Sequence, residues 1–227
     1  MSLSPEQASP APGVRSAWTI VCAGGAGNRF GSVKQYAEIG GKRLLDHAVL
    51  NAAAASDFVV VGAPAADVEE LRRAFAGAAV EVIAGGVLRS DTVRCALAAI
   101  PADVEVIVVH DAARPLAPPS LFGDVIAAVR GGADAAVPGL TPLDTVKRVE
   151  GDVVVETIDR NELVLVQTPQ AFRAEVLRAA HVGEPDATDD AALVERAGGK
   201  VVVVPGLAAA NKVTTRDDLA VMQRWLS

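Results

Sequence analysis

The chain has 227 residues, 21 basic and 28 acidic side chains, a formal charge of −7 and a hydrophobic fraction of 51%. A chain this long and apolar buries a core without disulfides or a structural metal, so bulk disorder is excluded. The acidic balance excludes the broad positive field that non-specific nucleic-acid binding needs, but leaves open a local basic pocket for a small anion.

The first fifteen residues, MSLSPEQASPAPGVR, hold three prolines and Glu6 and no apolar h-region. They predict a disordered leader over 1–16, not a signal peptide. Residues 17–227 then read as a single domain. Short β-branched runs at 18–22, 58–62, 80–85, 104–109, 135–139 and 200–204 predict strands. Between them, 44–55, 68–77, 89–100 and 118–130 have helical spacing; Leu71 and Phe75, for example, share a face with Val68. The strands are near-continuous apolar runs, as a parallel sheet covered on both faces requires. The succession predicts a doubly wound, mostly parallel α/β sheet of the Rossmann-like kind.

The rhythm breaks at about 140–162. Two strand-like runs, TVKRV and VVVETI, flank Glu150-Gly151-Asp152, which predicts a protruding antiparallel hairpin arm. An apolar arm needs cover, and pattern alone leaves an oligomer contact and local packing equally open. Only two cysteines occur, Cys22 and Cys95, which fits a cytoplasmic protein. No run of 18 apolar residues predicts a membrane span.

In an open α/β sheet, ligands bind beyond the carboxyl ends of the strands. The loop after the first strand, AGGAGNRFGSVKQY, has Gly24, Gly25 and Gly27 for close backbone approach to phosphate, and adds Arg29 and Lys34. It is neither a GxGxxG fingerprint, since Phe30 stands where the last glycine belongs, nor a Walker A loop. AGGVLRSDT follows the third strand, with Gly85, Gly86 and the Thr92 hydroxyl; Ser90, Asp91 and Thr92 are equally ordinary cap residues. In VVHDAARP, Asp111 directly follows the fourth strand, where an acid can hold a ribose hydroxyl, a cation or a substrate hydroxyl. Arg114 can meet an anion, or simply pair with Asp111. His110, His47 and His181 read as structural. Arg160 closes the hairpin, Thr168 precedes a proline turn, Thr188 or Asp189 caps a helix, and Lys212 precedes the last helix, capped by Thr214 or Thr215.

AGGAGNRFG, KQY, AGGVLRSDTV, VVHDAARP, DTVKRV, TIDRNELVLVQTPQAF, TDDAALVERAG and NKVTT together resemble the 2-C-methyl-D-erythritol 4-phosphate cytidylyltransferases of the non-mevalonate isoprenoid pathway. The resemblance runs over residues 18–227. It implies transfer of CMP from CTP to the polyol phosphate with Mg²⁺, and a homodimer whose arm reaches the partner's site. It also implies that Arg29 and Lys34 stabilise the α- and leaving phosphates, and that Arg160 and Lys212 position the sugar phosphate. Asp111, Ala112, Arg114, Thr145, Thr168 and Thr188 would line the polyol-phosphate and ribose region, with Asp111 also the one candidate metal ligand. Gly24, Gly25 and Gly27 would approach phosphate, Gly86 and Thr92 the cytosine, and Ala23 and Gly85 would also bind substrate. A neighbouring alternative is a cytidylyltransferase for ribitol phosphate or another polyol phosphate. An alternative of a different class is a catalytically silent nucleotide-binding module.

Overall fold

The computed structural model describes residues 16–24, 34–183 and 187–226. In chain order the elements are β1 (Ala17–Cys22), β2 (Glu38–Ile39), β3 (Lys42–Arg43), α1 (Leu44–Ala53), β4 (Phe58–Ala63), α2 (Val68–Ala74), β5 (Val80–Ala84) and α3 (Arg89–Ala99). They continue with β6 (Val106–Asp111), α4 (Pro119–Arg130), β7 (Ala135–Leu140), β8 (Val146–Glu150), β9 (Val153–Ile158), β10 (Leu165–Val166) and β11 (Gln170–Arg173). Last come α5 (Ala174–Ala180), α6 (Asp190–Arg196), β12 (Val201–Pro205) and α7 (Arg216–Arg224).

The main sheet runs in the order β10-β7-β11-β6-β1-β4-β5, with β12 paired to β7. β4, β1 and β6 are mutually parallel neighbours, as are β4 with β5 and β7 with β12. β11 runs antiparallel to both β6 and β7. The expected mostly parallel sheet is therefore present, with β10 and β11 running antiparallel in it. The expected strand 104–109 lies two residues later, because Val104 is held in a turn by its N–H bond to Pro101 O. Asp111 is thus the last residue of β6 and does not follow it.

The period-2 alternation of the strands sorts side chains between two cores. Val21, Val59, Val61, Val106 and Val108 pack with α1, α2 and α4. Ile20, Val60, Ile107 and Val109 pack with α3, α5 and α6. The same alternation, carried two residues past Val109, puts Asp111 on the α3/α6 side. His110 falls on the other side, its ring 4.9 Å from that of Phe122 in α4.

From β1 the chain winds outward through β4 and β5, then returns through α3 to β6 on the other flank of β1. The strand order reverses between β1 and β6. Such a switch point opens a crevice at the carboxyl ends of the strands.

The arm is present as a separate two-stranded sheet, β8 paired to β9, with Gly151 at φ +59° in its turn. Arg148 pairs with Glu156 across it at 2.7 Å. Val149, Val153, Val154 and Val155 are all exposed. Of the two uses the pattern left open, local packing is not the one its own chain provides among the described residues.

Candidate active site

Three segments converge beyond the β1/β6 switch point. β6 brings Asp111. β11, running antiparallel, brings its entry loop with Thr168 to the same edge. The segment before α7 brings Lys212. Arg89, Asp111, Arg114, Thr168, Thr188 and Lys212 line one cleft there. Lys212 Nζ donates to Asp111 Oδ2 at 2.7 Å, and Arg89 Nε donates to Asp111 Oδ1 at 2.9 Å. Burial by itself would raise the Asp111 carboxyl, but the Arg89 and Lys212 charges outweigh it and hold the group well below the usual carboxylate range. Asp111 is therefore an anion with both oxygens engaged by cations.

Thr168 joins the strand end to its loop. Its Oγ1 accepts from Asp111 N at 3.1 Å and lies 3.1 Å from His110 Nδ1. His110 is fully buried, and burial pushes its imidazole down to about 4. It is a neutral structural side chain, as expected. Burial pushes the Cys22 thiol up to about 12, so no thiolate nucleophile stands beside Asp111.

Arg114, for which sequence left an anion or Asp111 as partner, has its bonds elsewhere. It pairs with backbone carbonyls and not with Asp111: Nη1 donates to Ala210 O at 2.7 Å and Nη2 to Val166 O at 3.5 Å. One guanidinium thus braces the two loops that carry Lys212 and Thr168. Lys34 reaches the same neighbourhood, its Nζ donating to Val213 O at 3.1 Å.

Thr92 lies behind the glycine turn. It is 1% exposed, its Oγ1 accepts from Gly86 N at 3.2 Å, and it lies 3.2 Å from Leu88 O. The hydroxyl serves the Gly85-Gly86 turn and does not open into the cleft. A Cβ on Gly62 would collide with Thr92 Cγ2, and one on Gly85 would meet Thr92 Oγ1 at 2.8 Å. These glycines make room for a threonine. The helix cap here is Leu88, with Asp91 Oδ2 accepting from Leu88 N at 2.9 Å.

Ala23 and Ala112 are core residues whose amides are already bonded, to Gly62 O at 2.9 Å and to Cys22 O at 3.1 Å. Gly24 is exposed at the end of β1. Arg29, Gly25 and Gly27 lie outside the described residues, as does the expected leader apart from Ser16.

Arg160 and Thr145 are not brought to the cleft of their own chain. Both are exposed at the root of the arm, and the Arg160 guanidinium donates to Leu143 O. Asp189 caps α6, accepting from Ala192 N at 3.0 Å, and Thr215 caps α7, accepting from Asp218 N at 3.2 Å.

Sequence reasoning did not single out Arg89, although it is the residue that clamps Asp111. Its signal was faint: a cation opening the helix that leads from the third strand toward the fourth. Gln167 was missed too. Its side chain brackets Leu207, accepting from the amide at 3.0 Å and donating to the carbonyl at 2.9 Å, as a strand would.

No group of three or more His, Cys, Asp or Glu able to hold a metal occurs among the described residues. Both Asp111 oxygens are engaged by cations, Oδ1 by Arg89 and Oδ2 by Lys212. Larger hollows, of about 590 and 500 Å³, open at the opposite edge of the sheet around Asp57, Arg130 and Arg173. There Arg130 pairs with Glu105 and Arg173 with Asp134 and Glu175, so the arginines serve surface ion pairs.

The family model for 2-C-methyl-D-erythritol 4-phosphate cytidylyltransferase matches residues 17–227. The enzyme of that name from Saccharopolyspora erythraea is 45% identical over 220 residues, covering 92% of this chain and 98% of the relative. The 4-diphosphocytidyl-2C-methyl-D-erythritol synthase structure from Anaerococcus prevotii superposes with a TM-score of 0.82 at 26% identity, covering 93% of this chain and 98% of that one. The 2-C-methyl-D-erythritol 4-phosphate cytidylyltransferase structure from Thermus thermophilus gives 0.79 at 30% identity, with the same coverage. By its own motifs, its fold and these likenesses, the chain belongs to the 2-C-methyl-D-erythritol 4-phosphate cytidylyltransferase family.

Proposed function

We propose that this chain transfers CMP from CTP to 2-C-methyl-D-erythritol 4-phosphate, releasing pyrophosphate and 4-diphosphocytidyl-2-C-methyl-D-erythritol for isoprenoid synthesis. The observation that carries the proposal is the Lys212–Asp111–Arg89 cluster at the sheet's switch point, in a chain of this family. A phosphate oxygen of the polyol phosphate attacks the α-phosphorus. The bond from that phosphorus to the bridging oxygen breaks, and its electron pair leaves on pyrophosphate. A phosphate oxygen is already nucleophilic, so the protein's task is to position the partners and neutralise charge.

Lys212 holds the incoming phosphate. As it turns from Asp111 Oδ2 toward that phosphate, the freed carboxylate oxygen accepts a polyol or ribose hydroxyl. Thr168 and Thr188 line the same wall. Arg29 and Lys34 stabilise the charge on the α- and leaving phosphates, and Gly24, Gly25 and Gly27 let the backbone approach them. Gly86 lies against cytosine, with Thr92 supporting it from behind. Arg114 acts through the loops it braces. A divalent cation such as Mg²⁺ enters as part of the nucleotide substrate, on its phosphate oxygens.

Arg160 and Thr145 serve the partner's cleft in a homodimer. The exposed valines of the arm, and a cleft lining that does not include Arg160, support this reading. Residues 17–227 work as one catalytic unit. The two free cysteines support a cytoplasmic setting.

Pyrophosphate release with CTP and each of 2-C-methyl-D-erythritol 4-phosphate and ribitol phosphate tests the proposal. Release with the first supports it. Release with ribitol phosphate alone, or with neither, overturns it.

A further inference from the structure

Behind the cleft lie two groups that the mechanism above leaves unused. Asp190 opens α6 and His181 follows the last turn of α5, each with 2% of its side chain exposed. Arg89 Nη1 donates to Asp190 Oδ2 at 2.6 Å, and His181 Nε2 lies 3.0 Å from Asp190 Oδ1. With Arg89 Nε on Asp111 and Lys212 on the far oxygen, five side chains form one line from the cleft mouth to the core.

We propose that Arg89, Asp190 and His181 are positioning residues, a relay that fixes the Asp111 carboxylate in the orientation that meets the polyol phosphate. The proposal rests on the reading that Asp111 and Lys212 face that substrate.

Arg89 uses two edges of a rigid planar fork, Nε toward Asp111 and Nη1 toward Asp190. Only one rotation of the guanidinium satisfies both. Asp190 fixes that rotation, and His181 fixes Asp190 by holding its other oxygen. With Oδ1 of Asp111 clamped from behind, Oδ2 is the oxygen left to exchange Lys212 for a substrate hydroxyl.

Stability alone does not call for such a line. Buried ion pairs carry a desolvation cost that well-packed apolar side chains of similar volume avoid. The line also ends on a residue at the cleft mouth, where Lys212 is 39% exposed, and does not close inside the core. The charges balance along it: two carboxylates, Asp111 and Asp190, against Arg89 and Lys212. His181 meets Asp190 through Nε2, and its Nδ1 has no hydrogen-bond partner among the described residues.

The test is a double-mutant cycle on purified protein with CTP and 2-C-methyl-D-erythritol 4-phosphate. Asp190→Asn is expected to raise KM for the polyol phosphate about tenfold while KM for CTP stays within about twofold. In an Asp111→Asn background the same substitution should change neither. His181→Leu should behave like Asp190→Asn, and His181→Gln, which keeps an N–H near the Nε2 position, should recover most of the loss. A KM rise of equal factor in both backgrounds, or parallel rises for both substrates, overturns the relay.

If the wild-type protein does not turn over this substrate, the functional reading fails instead. The relay is then decided by urea unfolding of the same four proteins without substrate. Non-additive losses on removing Asp111 and Asp190 retain the coupling of Asp190 to Asp111 through Arg89, and additive losses overturn it.

Discussion

Lys212 Nζ lies 2.7 Å from Asp111 Oδ2, although 101 positions separate the two residues in the chain. The cation comes from a loop before the last helix and the anion from the end of a central strand. Their meeting places a compensated ion pair at the cleft that Arg89 and Arg114 also line. The formal charge of −7 describes the body of the molecule and not this edge of the sheet.

Lys212 and Arg29 should fail differently. Lys212→Ala removes a charged contact to the incoming phosphate, so KM for the polyol phosphate should rise about 10–100-fold with CTP binding little changed. Arg29→Ala should lower kcat on the order of 10²–10³-fold, with CTP binding falling less. Steady-state kinetics with each substrate varied in turn checks both.

The arm carries its own prediction. If Arg160 serves the partner, Arg160→Ala and Lys212→Ala proteins are each nearly silent at polyol-phosphate concentrations far below their raised KM, yet mixing and re-equilibrating them restores activity. Random pairing puts one intact site in half of the dimers, so about a quarter of wild-type activity should return. No recovery on mixing would place Arg160 at its own chain's cleft.

Much of this was legible in the sequence. The β-branched runs and the Glu150-Gly151-Asp152 turn gave the parallel strands and the arm, because both signals are local. Asp111 and Lys212 could be named from their places beside strand and helix ends. Their pairing could not, nor could the clamp by Arg89, since each depends on which side of the sheet a strand's last residue faces. β11 was missed for a related reason. QAFR is too short for a pattern of its own, and it becomes a strand because β6 and β7 offer it an edge on each side. The packing role of Thr92 was not legible either, because only the folded chain shows that Cβ atoms at Gly62 and Gly85 would meet it.

That packing is testable. Gly62→Ala should cost about 1–3 kcal/mol in urea unfolding, because the new methyl meets Thr92 Cγ2. Thr92→Ser deletes that methyl, so the Gly62→Ala cost should shrink in its background. An equal cost in both backgrounds would mean that the strain lies elsewhere.

His110 sets a pH dependence. Burial lowers its pKa from 6.5 to about 4, so the unfolded chain takes a proton at a higher pH than the folded one. Stability should therefore fall as pH drops below 6.5, by roughly 1.4 kcal/mol per unit, and this loss should level off below about 4. Unfolding curves across that range should be less pH-dependent for His110→Asn than for wild type.

The most direct test of the central claim is a competition. Limiting CTP is offered with equal concentrations of 2-C-methyl-D-erythritol 4-phosphate and ribitol phosphate, and the nucleotide products are identified by mass spectrometry. The account predicts the cytidine diphosphate ester of methylerythritol as the dominant product. A dominant ribitol ester, or CTP left unconsumed, would contradict it.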